Sequence, residues 1–151
     1  MPSVSCRWES TSPTGNFSCE LPTDPTHLRS VRRMVRDWAA AAGMHGDRLD
    51  DLVLAVDEAA SSGIEHSGDR RGPVWVDGHV AFGQVRIVVT DYGRRGSSTA
   101  SRRFGLRMIG DLTDHVHAED CDGATAITMV WDMAGTRSSR DRYPSTTGSS
   151  K

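Results

Sequence analysis

Residues 52–67 read LVLAVDEAASSGIEHS, and they carry more structural information than any other stretch of the chain. Their apolar side chains recur at the three- and four-residue spacing of one helical face. This face consists of Leu52, Val53, Val56, Ala60 and Gly63. Glu58 and Ser62 are four residues apart, so a helix places their side chains next to each other on another face. The stretch therefore predicts a buried helix with a carboxylate beside a hydroxyl.

Taken alone, this helix has two interpretations. An ordinary amphipathic helix with a solvated Glu58 shows the same pattern. The carboxylate and hydroxyl side by side also make the helix a candidate nucleotide site. Three later segments, in a fixed order along the chain, favour the second interpretation.

The first of these segments is VRIVVTDYGRRG, residues 85–96. A β-branched run leads into Asp91 and Gly93, which is typical of a strand that ends in a turn. A buried carboxylate at such a strand end can accept a hydrogen bond from the amino group of a base, and without that group it stays desolvated and unpaired. Asp91 is therefore a candidate for base recognition.

The other two segments are RRFGLRMIGDLTD, residues 102–114, and GATAITMVW, residues 123–131. In the first, Gly105 and Leu106 precede an apolar helical pattern, and the backbone amides at a helix start attract phosphates. In the second, a closing strand carries Thr125, whose hydroxyl can bond to a base directly or through water.

Together the four segments resemble the sequence boxes of the histidine-kinase-like ATPases, also called the Bergerat or GHKL fold, over about residues 18–133. The first box is most similar to that of the bacterial anti-sigma-factor serine kinases. The resemblance implies that Glu58 is the catalytic general base. It also implies a set of nucleotide-binding residues, namely Ser62, Asp91, Gly93, Gly105, Leu106 and Thr125. ATP and magnesium are the cofactors that it implies.

Four positions depart from the family pattern. Ser62 stands where the family has the asparagine that binds magnesium, Arg95 and Arg103 replace glycines, and Ala124 replaces a threonine. A serine hydroxyl reaches less far from a helix than an asparagine amide oxygen, and magnesium demands near-ideal octahedral geometry. Ser62 is therefore expected to be a weak magnesium ligand, with a water in between, and turnover is expected to be inefficient.

Residues 93–102, GRRGSSTASR, occupy the position of the family's ATP lid. Their Gly and Ser content favours a loop. Four cations in or beside this loop, Arg94, Arg95, Arg102 and Arg103, suit a triphosphate and equally suit an acidic partner protein. A mobile surface loop without any ligand is the remaining alternative.

The pattern elsewhere predicts an α+β protein. A strand at residues 17–21 precedes a helix that Thr23 or Asp24 caps and Gly43 ends, and Asp47 caps the next helix. Residues 74–81 and 84–90 predict a hairpin, and a third helix and two more strands follow. The resemblance implies a two-layer α/β sandwich, with a mixed, mostly antiparallel sheet covered by helices on one face. The domain is expected to span residues 17–133, between disordered segments at 1–16 and 134–151.

The composition limits the classes of function. The chain has 151 residues and a net charge of −2, which suit one domain and give no general reason to expect nucleic acid. No apolar run has the length of a membrane span, and no secretion signal is recognised. Cys6, Cys19 and Cys121 lack metal-ligand spacing and indicate a reduced, cytoplasmic protein.

The first helix has a basic side that is either a solvated face or a docking surface for a partner. Its residues are Arg29, Arg32, Arg33 and Arg36. The resemblance implies that the partner is a sigma factor or an anti-anti-sigma-type protein, and it also allows a homodimer. Two functions remain open: a regulatory scaffold with an ATP pocket and weakened catalysis, or an active serine/threonine protein kinase that phosphorylates an anti-anti-sigma-type partner with Mg-ATP.

Overall fold

The computed structural model describes residues 5–8, 15–66, 73–92, 99–121 and 123–133. Three helices lie in this part of the chain: α1 (Leu28–Ala41), α2 (Gly46–His66) and α3 (Thr99–Leu112). The strands are β1 (Ser5–Trp8), β2 (Phe17–Leu21), β3 (Val74–Ala81), β4 (Gln84–Asp91), β5 (His115–Cys121) and β6 (Ala124–Asp132). None of the described helices combines the length and the apolar content that a bilayer crossing demands.

The strands form one sheet in the order β1-β2-β3-β4-β6-β5, and the helices cover one of its faces. The predicted α+β sandwich is confirmed. The expectation of a mixed sheet is wrong for the described strands, because every pairing between them is antiparallel. The links between β3 and β4 and between β5 and β6 have two residues each, and such short links join only antiparallel neighbours.

The core lies between the helices and the inner face of the sheet. The apolar face predicted for α2 is buried, as are the alternate residues of β2, β3 and β4. Phe17 and Trp38 pack edge to face, with their ring centroids 4.7 Å apart. A Cβ at Gly78 of β3 would lie 2.1 Å from Cε1 of Phe17, so the aromatic pair packs directly on the strand backbone at this glycine.

The predicted signals for helix ends agree only in part with the structure. The carboxylate of Asp24 accepts a hydrogen bond from the backbone N–H of Thr26 at the turn that leads into α1. This backbone hydrogen bond lowers the pKa of Asp24 from its usual value. Gly43, with φ of 107°, follows the end of α1, and α2 begins at Gly46, one residue before the expected cap at Asp47.

The N-terminal strand β1 is a difference from the sequence prediction. Disorder was expected through residue 16, but Ser5–Trp8 pairs with β2 over its whole length. A strand of polar composition is difficult to predict from sequence. An edge strand is held by backbone hydrogen bonds, so it does not need an alternating apolar pattern in its side chains. The expected disorder of residues 134–151 lies outside the described residues.

The state of one cysteine also differs from the prediction. Cys19 is disulfide-bonded in the structure, whereas the composition predicts reduced thiols. Cys6 is the residue opposite Cys19 in the ladder between β1 and β2. The sulfur of Cys19 also lies 3.1 Å from the sulfur of Met34 in α1.

The turn between β3 and β4 is formed by Phe82 and Gly83, as predicted. Both residues have positive φ, 53° and 72°, which is typical of the tight hairpin turns that match the twist of the strands. The ring of Phe82 is fully exposed. The carbonyl of Gly83 accepts a hydrogen bond from the backbone N–H of Met133, which ties the turn to the end of β6.

A buried ion pair joins α2 to the end of the sheet where this turn lies. The Oδ2 atom of Asp114 accepts hydrogen bonds from Nη2 of Arg48, at 2.8 Å, and from the backbone N–H of Asp132, at 2.7 Å. The side chain of Asp114 is only 6% exposed. Gln84 adds a hydrogen bond from its side-chain amide to the carboxylate of Asp132. The cluster connects one helix with two strands.

Candidate functional site

A cavity of about 160 Å³ lies at the other end of the sheet, where β4 ends and β6 begins. Ser62 of α2, Asp91 of β4 and Thr125 of β6 form part of its lining. Two acidic residues of β5, Glu119 and Asp120, complete the polar part. The remaining lining is Gly105, Leu106, Ile109, Ala118 and Ile127. Apolar walls therefore face a polar floor.

The strand register explains why residues distant in sequence meet here. Asp91 stands opposite Thr125 in the ladder between β4 and β6, and Thr125 stands opposite Asp120 in the ladder between β5 and β6. The three polar residues thus form one row across neighbouring strands. Five of the residues predicted to bind a nucleotide line the same cavity: Ser62, Asp91, Gly105, Leu106 and Thr125.

Asp91 is buried, with only 5% of its surface exposed. Helix α2 packs closely against it, because a Cβ at Gly63 would lie only 3.2 Å from the Cβ of Asp91. A glycine at this position lets the helix approach the end of the strand. Asp91 therefore has the burial that base recognition was expected to need.

Thr125 is held by a short contact on the floor of the cavity. Its Oγ1 atom donates a hydrogen bond to Oδ1 of Asp120, at 2.7 Å. The side chain of Thr125 is half-buried, while Asp120 is exposed at the rim. The hydroxyl consequently has a defined orientation.

Glu58 lies beside the cavity and is not part of its lining. The side chain is half-buried on α2, and a Cβ at Gly105 would lie 3.3 Å from its Oε1 atom. The carboxylate therefore rests against the backbone of α3 near the wall of the cavity. Glycine at position 105 keeps this approach open.

The start of α3 contradicts one expectation. The helix begins at Thr99, so Gly105 and Leu106 lie in its second turn and not at a helix start. Backbone N–H groups at that depth bond to carbonyls four residues earlier and do not face a phosphate. The segment Thr99–Arg103 contains Ala and Arg, which favour helix, and Arg103 replaces the glycine that would interrupt it.

The structure does not describe the side chains of the predicted lid cations. Gly93, Arg94 and Arg95 lie outside the described residues. Arg102 and Arg103 belong to α3 by their backbone, and their side chains lie outside the described part. Their contacts with a triphosphate or with a partner therefore stay predictions.

Glu119 and Asp120 were not predicted from the sequence. The sequence did contain a signal for Asp120. Side chains alternate between the two faces of a strand, so Asp120 lies on the same face of β5 as Val116 and Ala118. The two-residue link between β5 and β6 also fixes Asp120 opposite Thr125. The register of the two strands was needed to recognise this pair.

The lining fits a purine base better than it fits a metal. Apolar side chains of α3 and β6 suit a flat ring, and the carboxylate of Asp91 suits an exocyclic amino group. Typical ligand pockets measure roughly 300 to 1,000 Å³, so a triphosphate has to extend beyond this cavity. Among the described residues no group of three or more potential metal ligands occurs, and Ser62 offers a hydroxyl in place of an amide.

A second cavity lies on the surface of α1. It is lined by Arg29, Ser30, Arg33, Met34 and Asp37. The other two arginines of this helix contact α2: Arg32 lies 3.4 Å from Asp57, and Arg36 lies 3.0 Å from Asp50. The basic side predicted for the first helix is therefore divided between a contact with α2 and an exposed groove.

Comparisons with known proteins identify the same family over most of the chain. A family model described as the histidine kinase-like ATPase domain matches residues 21–131. The serine-protein kinase RsbW of Bacillus subtilis (strain 168) is 24% identical over 142 residues, which cover 81% of this chain and 88% of that protein. The serine-protein kinase RsbW of Listeria innocua is 24% identical over 98 residues.

A solved structure has a similar fold. The crystal structure of the RsbU and RsbW domains of a Mycobacterium tuberculosis protein matches 78% of this chain with a TM-score of 0.66 and 24% identity. The match covers 32% of the mycobacterial chain, and the match with the Listeria protein covers 62% of that relative. The chain is therefore similar to parts of these longer proteins.

Proposed function

The chain belongs to the histidine kinase-like ATPase domain family, and on that premise we propose that it is a regulatory protein that binds a sigma factor or an anti-anti-sigma-type partner. The family match and the RsbW relatives confirm the resemblance of its motifs to the anti-sigma-factor kinase type. In this proposal the cavity is an ATP pocket, catalysis is weakened, and the protein regulates transcription in the bacterial cytoplasm. Neither nucleic acid nor membrane has a part in it.

The row of Asp91, Thr125 and Asp120 beneath apolar walls carries the nucleotide part of the proposal. The buried carboxylate of Asp91 accepts a hydrogen bond from the amino group of adenine, and the side chains of Leu106 and Ile127 cover the ring. ATP, when bound, supplies a phosphoryl group. The residues described here bind and orient its base.

Two observations support weakened catalysis. Ser62 replaces the amide that the family uses for magnesium, and its hydroxyl is shorter. The amides of Gly105 and Leu106 lie within α3, so they do not reach phosphates in this conformation. Binding of the base is retained, whereas alignment of the phosphates is not.

The first test is the removal of the buried carboxylate. Asp91→Ala is expected to weaken ADP binding by on the order of 1 to 3 kcal/mol, because it removes one buried hydrogen bond to the base. Isothermal titration calorimetry of both proteins measures the difference. Asp77→Ala is the matched control, since Asp77 bonds to Ser18 on the outer face of the sheet, and it should bind ADP like the wild type. Equal ADP affinities for wild type and Asp91→Ala would show that Asp91 does not read the base.

The groove on α1 is the surface that we propose for the partner protein. Arg32 and Arg36 already face carboxylates of α2, so Arg29 and Arg33 are the cations that line the exposed groove. Two neighbouring guanidinium groups beside the apolar Met34 suit a segment that combines acidic and apolar side chains. Such a surface gives specificity and a fast association rate.

Charge reversal tests this surface. The double variant Arg29→Glu/Arg33→Glu is expected to weaken binding to the sigma factor or anti-anti-sigma-type partner by about tenfold or more, because like charges then oppose each other across the interface. Co-purification followed by surface plasmon resonance measures the effect. Arg32→Ala/Arg36→Ala, on the side that faces α2, is the control, and both variants should keep a nearly unchanged melting temperature. Unaltered partner affinity in the charge-reversed protein would exclude the α1 groove.

The alternative function is an active serine/threonine protein kinase that uses Mg-ATP. The names of the relatives favour it, and so does the position of Glu58 beside the cavity. Transfer of labelled phosphate to a serine of an anti-anti-sigma-type protein, abolished by Glu58→Ala, would establish the kinase. Partner binding that survives Glu58→Ala, without any transfer by the wild type, supports the regulatory scaffold.

A further inference from the structure

The partner of Cys19 in its disulfide follows from the order and register of the strands. The chain has two other cysteines, Cys6 and Cys121. A disulfide needs Cα atoms no more than about 7 Å apart. Cys6 stands directly opposite Cys19 in the antiparallel ladder between β1 and β2, where the Cα atoms of a pair lie about 4.5 to 5.5 Å apart. Cys121 of β5 is four strands away from β2, roughly 19 Å at the usual strand spacing. The backbone therefore assigns Cys6 as the partner of Cys19.

The disulfide joins a short edge strand to the rest of the domain. Strand β1 has four residues, and among the described strands it pairs with β2 alone. The buried core lies in the three helices and in strands β2, β3, β4 and β6. A short ladder is only marginally stable by itself. Without the disulfide, we expect β1 to open while the rest of the domain stays folded.

The sulfur of Cys19 also contacts helix α1. Cys19 is fully buried, and its sulfur lies 3.1 Å from the sulfur of Met34. Met34 is half-buried and lines the groove on α1 together with Arg29 and Arg33. A thiol has a proton that it can donate to a thioether sulfur, whereas a disulfide has none. A change in the state of Cys19 therefore changes the surroundings of a side chain in this groove.

We propose that Cys6 and Cys19 form a reversible redox pair, and that its reduction by a low-molecular-weight thiol releases β1 and alters the groove on α1. Disulfides in a reducing cytoplasm are usually transient or redox-sensing. The inference rests on the cytoplasmic location in the proposed function. It depends neither on nucleotide binding nor on partner binding.

The reduction takes place by two thiol–disulfide exchanges. A thiolate of the small thiol attacks one sulfur of the disulfide, the S–S bond breaks, and a mixed disulfide forms. Because Cys19 is fully buried, the attack falls on the sulfur of Cys6, and Cys19 leaves as a thiolate that takes up a proton. A second small thiolate attacks its own kind in the mixed disulfide, and Cys6 leaves and takes up a proton. The protein gains two electrons and two protons, and two small thiols become one small disulfide.

The test equilibrates the full chain with glutathione that is either mainly oxidised or mainly reduced. Mass spectrometry, after free thiols have been blocked, should find peptides of Cys6 and Cys19 linked in the oxidised sample only. Hydrogen exchange at the amides of Ser5–Trp8 should become about tenfold faster or more on reduction, because the disulfide no longer restricts the opened strand. Exchange in β4 and β6 should be the same in both samples.

Nuclear magnetic resonance shows whether the change reaches the groove. The ε-methyl resonance of Met34 should shift between the oxidised and the reduced protein, because the sulfur beside it gains a proton. Met129, which is buried in β6, is the internal reference, and its methyl resonance should stay in place.

Two serine variants separate this pair from the third cysteine. Cys6→Ser should show fast exchange in β1 in both glutathione mixtures, with wild-type exchange in β4 and β6. Cys121→Ser is the matched control at the opposite edge of the sheet. It should keep the linked peptides and the full difference between the two mixtures.

Four results would each overturn the inference. They are the absence of linked Cys6 and Cys19 peptides after oxidation, a disulfide that reduced glutathione does not open, equal exchange of β1 in both states, and a loss of protection throughout the sheet on reduction. The last result would make the bond a structural staple. The titrations with ADP and with the partner test the proposed function separately, so its failure is distinguishable from the failure of this inference.

Discussion

Replacing Gly78 with alanine is expected to destabilise this domain strongly. The new Cβ would lie 2.1 Å from Cε1 of Phe17 and 2.9 Å from Cη2 of Trp38. Both rings are core residues with 2% exposure, so neither can move aside cheaply. The loss should reach or exceed the roughly 1 to 3 kcal/mol that overpacking usually costs. Denaturant unfolding followed by circular dichroism measures it.

Gly110 of α3 provides a matched control for Gly78, since the chemical change is the same and the surroundings differ. A Cβ at Gly110 would meet Val116 at 3.7 Å, an ordinary contact, and the residue is exposed. Gly110→Ala should therefore stabilise the protein by up to about 1 kcal/mol, because alanine favours helix. If Gly78→Ala unfolded at the wild-type denaturant concentration, the packing of the aromatic pair on β3 would be wrong.

Asp114→Ala is the second substitution with a large expected effect. Removal of this carboxylate leaves the guanidinium of Arg48 without its buried anion and the N–H of Asp132 without its acceptor. Breaking a buried pair from one side typically costs about 3 to 5 kcal/mol. The midpoint of urea unfolding should fall accordingly, without a change in the denaturant slope.

An exposed ion pair offers the comparison for Asp114. Arg36 and Asp50 lie 3.0 Å apart, but their side chains are 46% and 64% exposed. Asp50→Ala should cost only about 0 to 1 kcal/mol, because water already screens the pair. Similar losses for the two alanine variants would contradict the burial of Asp114.

Sequence patterns predicted those elements that local information specifies. The helix α2 has a long apolar stripe, and the hairpin of β3 and β4 has two alternating runs around a turn, so both were predicted within one or two residues. The strand β1 has no such stripe and exists through its ladder with β2. The start of α3 was missed because a glycine motif was given more weight than the helix-favouring residues before it.

The residues of the candidate site also divide into those that local sequence predicts and those that only the strand pairing brings together. Asp91 and Thr125 were predicted one by one, from the end of a strand and from a family box. That they are neighbours, and that Asp120 holds Thr125, follows from the register of three strands, which depends on contacts between distant parts of the chain. Single-sequence patterns specify the groups available for chemistry, and the sheet specifies which of them meet.

The hairpin turn at Phe82 has a consequence for how this protein can evolve. A bulky residue with positive φ is strained, and a fully exposed ring gains nothing from burial in return. Asparagine would suit the turn better. Because Gly83 is eight residues from Asp91 along β4, the turn lies roughly 27 Å from Asp91. Natural selection maintains stability only above a threshold. Substitutions at this turn can therefore raise the free energy of unfolding, and so compensate for destabilising substitutions elsewhere, without altering the cavity.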